Sequence, residues 1–201
     1  MGRAALTTED REAFRAAIRE VATRRFAEHG EDGVTMRGLA DELGISPMTA
    51  YRYFKDRDEI FAMVRLAAHD AFADAQERAF ASESDPVRRL RAMGRAYVEF
   101  ALAHPDQYRV MFQLERHGTR DTTSKRAWKP MIAAVTAAID SGALTGDPEE
   151  LAYACWASVH GLATLHLAGK LRRPLDSLVE PTIDLLIAGA RAARPQRKRT
   201  R

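Results

Sequence analysis

One cysteine, Cys155, stands in 201 residues, so no internal disulfide can form and the fold must hold without a covalent staple. No apolar run approaches the roughly 18 residues that a membrane span needs. The opening segment MGRAALTTEDRE lacks the apolar stretch of a secretory signal. These absences predict a cytoplasmic protein with no membrane partner. Catalytic constellations are missing as well. There is no Gly-x-Ser-x-Gly, no phosphate-cradling glycine loop and no His-Glu-x-x-His. The six histidines are scattered, and His160 and His166, six apart, fall on different helix faces rather than forming an i, i+4 metal pair. The expectation is no catalytic residue, no metal and no cofactor. An all-helical enzyme or carrier, the competing class, would lack any poised acid, base or nucleophile set.

What is present is helix. With 46% hydrophobic residues the chain can build a core, and 29% charged residues suit a soluble globular class. The net charge of +3 misleads, because residues 191–201 (RAARPQRKRTR) hold six of the 31 cations and no acid. Without them 25 cations face 28 acids, so the body is mildly acidic and residues 195–201 are expected to be a solvated, disordered basic tail. Phe14, Ile18, Ala22 and Phe26 recur at i+4, with Thr7 or Thr8 to cap the start and Gly30 to stop the helix. After the loop EDGV, Thr35 caps a second helix that Gly44 ends, and Ser46 caps a third with Pro47 at its first position. Asp56 and Glu59 form a capping-box variant opening a fourth helix that runs to about Phe80. Helices are then expected from Asp85-Pro86 to about His104, over PDQYRVMFQLER, and around Trp128 with Pro130 kinking or delaying it. The last two are expected from Asp147-Pro148 to Gly169 and from Asp176 to Arg194, with HGTRDTTS a polar loop. The fold class is therefore all-α, about nine helices and no sheet.

One stretch resists a reading as plain core or plain surface. GISPMTAYRYF, residues 44–54, holds two tyrosines and a phenylalanine but starts with small residues, and it contains no acid although Asp41, Glu42, Asp56, Asp58 and Glu59 crowd both sides. A short glycine-containing turn between short helices is the helix-turn-helix signature. Its second helix must be narrow at the tip to enter a major groove about 12 Å wide, which accounts for Ser46, Pro47 and Thr49. Phe54, with Leu39, Leu43, Ile45 and Ile60, is expected to pack inward. Tyr51 and Tyr53 would offer hydroxyls to flanking phosphates, a positioning rather than a specifying contact. A small helical bundle with tyrosines along an amphipathic edge satisfies the same spacing.

Thr35, Leu39-Ala40, Gly44-Ile45-Ser46, Thr49, Tyr51, Tyr53-Phe54, Lys55-Asp56-Arg57-Asp58 and Ile60 fall at the spacing of the TetR family's DNA-binding domain, which residues 11–60 resemble closely. Phe26-Ala27-Glu28-His29-Gly30 looks like the end of that family's first helix. Gly38 departs from the pattern and weakens the second helix by up to about 1 kcal/mol relative to Ala. The resemblance implies that Arg37 reads a base edge and that Pro47, Met48 and Thr49 face bases. It further implies that Tyr51, Tyr53, Lys55 and Arg57 hold the backbone, with the Thr35 and Ser46 caps presenting amides to phosphate. For Arg52, base contact and solvated cation remain open.

In the second half, Trp156 followed by His160-Gly161, after Asp147-Pro148-Glu149-Glu150, resembles the "WHG" type of TetR-family C-terminal domain. His104-Pro105-x-x-Tyr108 and Met111-Phe112 fit the same group over residues 85–190. The implied division is a helix-turn-helix domain over 8–60 and a helical effector-binding and dimerisation domain over 61–194. The last two helices of such domains pair with those of a second subunit. Here Leu151, Cys155, Ser158, Leu162 and Leu165, with Leu185, Leu186 and Gly189, form small-residue faces suited to that contact, or they complete an internal core. Cys155 reads as a small apolar residue rather than a redox sensor. Tyr97, Phe100, Tyr108, Met111, Phe112, Trp128, Met131 and His160 are the candidate lining for a small, largely apolar effector, or are plain core. His160 is either a ligand contact or a structural hydrogen-bonder at the subunit contact. The function expected is a homodimeric regulator of a palindromic double-stranded operator, most simply a repressor released by its effector. A regulator or activator without an effector is the alternative.

Overall fold

The computed structural model describes residues 7–113 and 124–191. Among the described residues there are nine α-helices, one 3₁₀ turn and no strand. The helices are α1 (Thr8–His29), α2 (Met36–Glu42), α3 (Pro47–Tyr51), α4 (Arg57–Ala81) and α5 (Pro86–Ala103), followed by α6 (Pro105–Gln113), α7 (Ser124–Asp140), α8 (Pro148–Leu167) and α9 (Asp176–Gly189). The loop expected at EDGV is the 3₁₀ turn Glu31–Gly33.

The starts follow from side chains that satisfy orphaned amides. Thr7, not Thr8, caps α1, in a full capping box with Asp10. Its hydrogen bond from the Thr7 hydroxyl, before that from the Thr7 amide, holds the Asp10 carboxyl below its usual range. Thr35 accepts from the Gly38 amide, Ser46 from Thr49, and Asp147 from both Glu149 and Glu150. At α4 the box is altered. Asp56 accepts from the Glu59 amide, but the Glu59 carboxylate reaches one residue further back, to the Lys55 amide at 2.8 Å.

Two ends differ from expectation. α7 begins at Ser124, six residues before Pro130, and runs through it. The proline therefore neither delays nor ends the helix, although it removes one ladder bond and its ring crowds the carbonyl of Arg126 four residues back. α9 stops at Gly189 rather than Arg194. The Ala190 carbonyl accepts the Thr145 amide at 2.6 Å, so it is tied to the α7–α8 connection instead of extending the ladder. The basic tail at 195–201 and most of the loop HGTRDTTS lie outside the described residues, as does the far end of the helix expected over PDQYRVMFQLER.

Packing separates two compact units. Among the described residues, the first takes 7–71 with 104–113 and the second 72–103 with 124–191, so α4 contributes to each. In the first, α1 packs on α6 and α2, and α2 on α3. Ile18, Ala22, Phe26, Val34, Leu39, Ala40, Ala50, Phe54 and Ile60 form its core, and Arg109 of α6 donates to the Ala27 carbonyl at 3.3 Å. In the second unit α5 is central, in contact with α7, α8 and α9. Gly94 makes the α5–α9 approach possible: a Cβ there would lie 2.5 Å from Ile183 Cδ1. Arg91 pairs with Asp184 at 2.9 Å, and Arg95 with Glu180, along the same seam.

Candidate nucleic-acid interface

α2 and α3 are joined by Leu43–Ser46. Gly44 takes a left-handed conformation with φ 66°, and the Ile45 amide donates back to the Ala40 carbonyl at 2.9 Å. A side-chain-bearing residue adopts that φ only with strain, so the glycine belongs to the turn. Ser46 and Thr49 bind one another through their hydroxyls at 2.8 Å and close the leading end of α3. Ala50 and Phe54 face the core, which turns Pro47, Met48, Tyr51 and Arg52 outward. Met48 is 72% exposed and Tyr51 54%, unusual for such large apolar groups on one short helix.

The remaining candidates separate by how far the chain itself engages them. Arg37 on α2 is free to reach outward: its side chain is 87% exposed and only 3.9 Å from Asp41 in a loose i, i+4 pair. Thr35 and Lys55 are exposed, and Thr49 is half-buried. Tyr53 is half-buried with its ring 4.2 Å from that of Phe14 on α1. Arg57 folds back, donating to the Glu31 carbonyl at 3.4 Å with its guanidinium 5.3 Å from the Phe61 ring centre.

α2 is fixed to α1 by a cluster that spacing alone did not reveal. Glu42 accepts from Arg25 at 3.2 Å and from Arg24, and these hydrogen bonds, Arg25's first, hold its carboxyl below the usual range. Arg25 also donates to the Gly33 carbonyl at 2.8 Å. This explains Gly38. A Cβ at that position would lie 2.8 Å from Arg25 Nη2 and 3.0 Å from the Thr35 hydroxyl, so the glycine makes room for the arginine.

The candidate effector residues divide between the units. Tyr108, Met111 and Phe112 lie on α6 in the first, where the Tyr108 and Phe112 rings pack at 4.9 Å. Tyr97, Phe100, Trp128, Met131 and His160 belong to the second. There Trp156, absent from the candidate set, donates its indole N–H to the Tyr97 hydroxyl at 3.2 Å, and the same oxygen lies 3.0 Å from His160 Nδ1. An indole can only donate, so the Tyr97 oxygen accepts there and shares a second hydrogen bond with the imidazole. Burial pushes the His160 pKa down, which favours the neutral ring. The tryptophan and histidine of the WHG pattern thus meet on one buried tyrosine of α5. Tyr153 and Trp128 extend the cluster, with ring centres 4.7 Å apart, and Phe72 stacks edge-on to Tyr97 at 5.0 Å. Trp156 and Tyr153 stand outside the candidate lining because the residues that draw them in, Tyr97 and Trp128, lie on other helices.

On α8 and α9, Leu165 and Leu185 are exposed, Leu185 at 74%. Leu151, Cys155, Ser158, Leu162 and Leu186 are half-buried, and Gly189 is exposed. A Cβ at Gly161 or Gly189 would meet nothing within 4 Å among the described residues, unlike Gly94, so no described neighbour accounts for those two glycines. Burial pushes the Cys155 thiol up, which keeps it protonated at neutral pH.

Residues 18–64 match the family model described as bacterial regulatory proteins, tetR family, and residues 90–189 match a tetracyclin repressor-like C-terminal domain. An HTH-type transcriptional regulator of Mycobacterium tuberculosis is 30% identical over 145 residues, which cover 68% of this chain and 60% of the relative. The HTH-type transcriptional repressor AcnR of Corynebacterium diphtheriae is 34% identical over 94 residues, 47% of this chain and 43% of the relative. The matches therefore span about 60% or less of the length of these curated relatives. A solved protein of unknown function from Rhodococcus sp. RHA1 superposes with TM-score 0.79 at 28% identity, covering 89% of this chain and 95% of that one. A TetR family transcription regulator of Marinobacter aquaeolei shares the fold at TM-score 0.76 and 20% identity, covering 92% and 98%.

Proposed function

Because the chain belongs to the TetR family of transcriptional regulators, we propose that it binds a palindromic DNA operator as a homodimer and represses transcription until a small, largely apolar effector releases it. Residues 8–60 are the DNA-binding domain and 61–194 the effector-binding and dimerisation domain. The observation that carries the reading is the outward face of α3: narrow, acid-free, and lined by exposed Pro47, Met48, Tyr51 and Arg52 beside an extended Arg37.

Arg37 reads a base edge, since arginine on guanine O6 and N7 is the commonest specific contact, worth about 1–3 kcal/mol of discrimination. Met48 suits a thymine methyl. Tyr51 and Lys55 grip phosphates and set register without reading sequence. The two half-sites lie about one helical turn, 34–36 Å, apart, so two copies are needed to read them together. The exposed Leu165 and Leu185 and the open glycines of α8 and α9 are the surface offered for that pairing.

In the second unit the aromatic cluster around Tyr97 and His160 is the region assigned to the effector. A ligand acts only through its different affinity for the DNA-competent and released arrangements. A regulator without an effector is the second reading, favoured by the observation that Tyr97, Trp156 and His160 already engage one another.

Titration of the protein into a duplex carrying its neighbouring promoter, with and without a panel of hydrophobic compounds, tests both. Tyr51→Ala should weaken binding to every sequence alike, and Arg37→Ala should relax preference at one base pair. Unchanged footprints for both variants would remove the DNA assignment, and indifference to every compound would favour the second reading.

A further inference from the structure

Tyr53 and Lys55 lie beyond the end of α3, in the stretch that joins it to α4. The Tyr53 and Phe54 amides still donate to the Ala50 carbonyl, at 3.0 and 3.1 Å, and a side chain of α1 holds the carbonyl side of the same stretch. Arg15 Nη1 donates to the Tyr53 carbonyl at 3.1 Å across 38 residues of sequence. Its guanidinium sits 4.5 Å from the Phe54 ring centre, and Nη2 lies 3.5 Å from Glu59 Oε1. The other oxygen of Glu59 accepts the Lys55 amide at 2.8 Å. The neighbouring Phe14 stacks on the Tyr53 ring. One planar fork therefore engages a main-chain acceptor, a ring face and a carboxylate together, a combination that an ammonium cannot reproduce.

We propose that Arg15 is a positioning residue for DNA binding: through Tyr53, Phe54 and Glu59 it sets the path of the chain that presents Tyr53 and Lys55 to the phosphates, and does not itself contact DNA. The inference rests on the DNA-binding reading above for its consequence, but not for its geometry. All three of these partners are on the loop and the start of α4, and each would be released by loss of the fork. Glu59, an acid beside the interface, then acts in favour of binding because it holds both Arg15 and the Lys55 amide.

The test uses the full chain and a short random-sequence DNA duplex in low-salt buffer, since phosphate contacts are blind to sequence. Arg15→Met should weaken binding roughly tenfold, the scale of one lost hydrogen bond to a charged group. Arg15→Lys should fail to restore it, although it keeps the charge. Glu59→Gln should also weaken binding, against the simple expectation that deleting an acid near DNA strengthens it. Affinity within twofold of wild type for Arg15→Lys, or tighter binding for Glu59→Gln, would overturn the proposal in favour of Arg15 as a direct phosphate ligand or a bystander. Amide exchange in the free protein supplies a readout independent of DNA: Arg15→Met should speed exchange at Lys55 while leaving Ile18 and Leu39 protected. Unchanged exchange at Lys55 would refute the positioning role even if the wild type bound no duplex, and that last result would count against the DNA-binding reading alone.

Discussion

At the scale of single residues, the sites that matter are those where one side chain answers several demands. Gly38 is the clearest. By propensity alone, Gly38→Ala should stabilise α2 by up to about 1 kcal/mol. Yet the added methyl would press on Arg25, which is held by Gly33 and Glu42. We expect Gly38→Ala to stabilise the wild type little or not at all, but to stabilise an Arg25→Ala background by most of that amount. The coupling, read by urea unfolding of the four proteins, should exceed about 0.5 kcal/mol, and additivity would show that Arg25 yields freely. His160 makes a pH prediction. Its folded pKa lies below its ordinary value near 6.5 because burial disfavours the cation. The unfolded chain therefore takes up the proton first, and stability is full above that value and falls as the pH drops through it toward the folded pKa. Denaturant midpoints across this window should fall more steeply for the wild type than for His160→Gln. Equal slopes would mean that the imidazole is not held neutral. Tyr97→Phe strips the indole N–H and Nδ1 of their shared partner and should cost about 1–3 kcal/mol in the same assay.

Among elements, what decides placement is how closely helices approach. α5 and α9 meet where Gly94 receives Ile183, and a methyl at Gly94 would be 2.5 Å from Cδ1. Gly94→Ala is expected to destabilise the chain by about 1–3 kcal/mol through overpacking. Adding Ile183→Val, which removes that Cδ1, should recover part of the loss. No recovery in thermal unfolding would place the strain elsewhere. The same scale explains what was legible in the sequence. The starts of α1, α2, α3 and α8 were readable because each is fixed by a capping side chain two or three residues from the amide it serves. The small tip and outward face of α3 were readable because Gly44, Ser46 and Pro47 act on their immediate neighbours. The end of α9 was not, since the Ala190 carbonyl is claimed by Thr145, 45 residues away. Arg15 on Tyr53 and Trp156 on Tyr97 escaped notice for the same reason: their partners are 38 and 59 residues distant. Local chemistry is written along the chain, whereas contacts between helices are set by packing that spacing does not encode.

For the whole molecule, two copies must pair if two α3 heads are to meet one operator. Leu185 and Leu165 are large apolar groups left in solvent on the last two helices. If they pair two copies, Leu185→Glu with Leu165→Glu should yield a monomer by light scattering and lose the two-site footprint while keeping weak binding to a half-site. A dimer unaffected by both changes would move the interface elsewhere. Proteins that grip phosphates release counterions, and log affinity then falls by about 0.9 per contacted phosphate for each unit of log salt. The most direct measurement is therefore the affinity of the intact chain for duplex DNA across a salt series. With two heads engaged, the account predicts tight binding at low salt and a slope of about −4 or steeper, made shallower by Tyr51→Ala. No binding at low salt, or an affinity indifferent to salt, would contradict it.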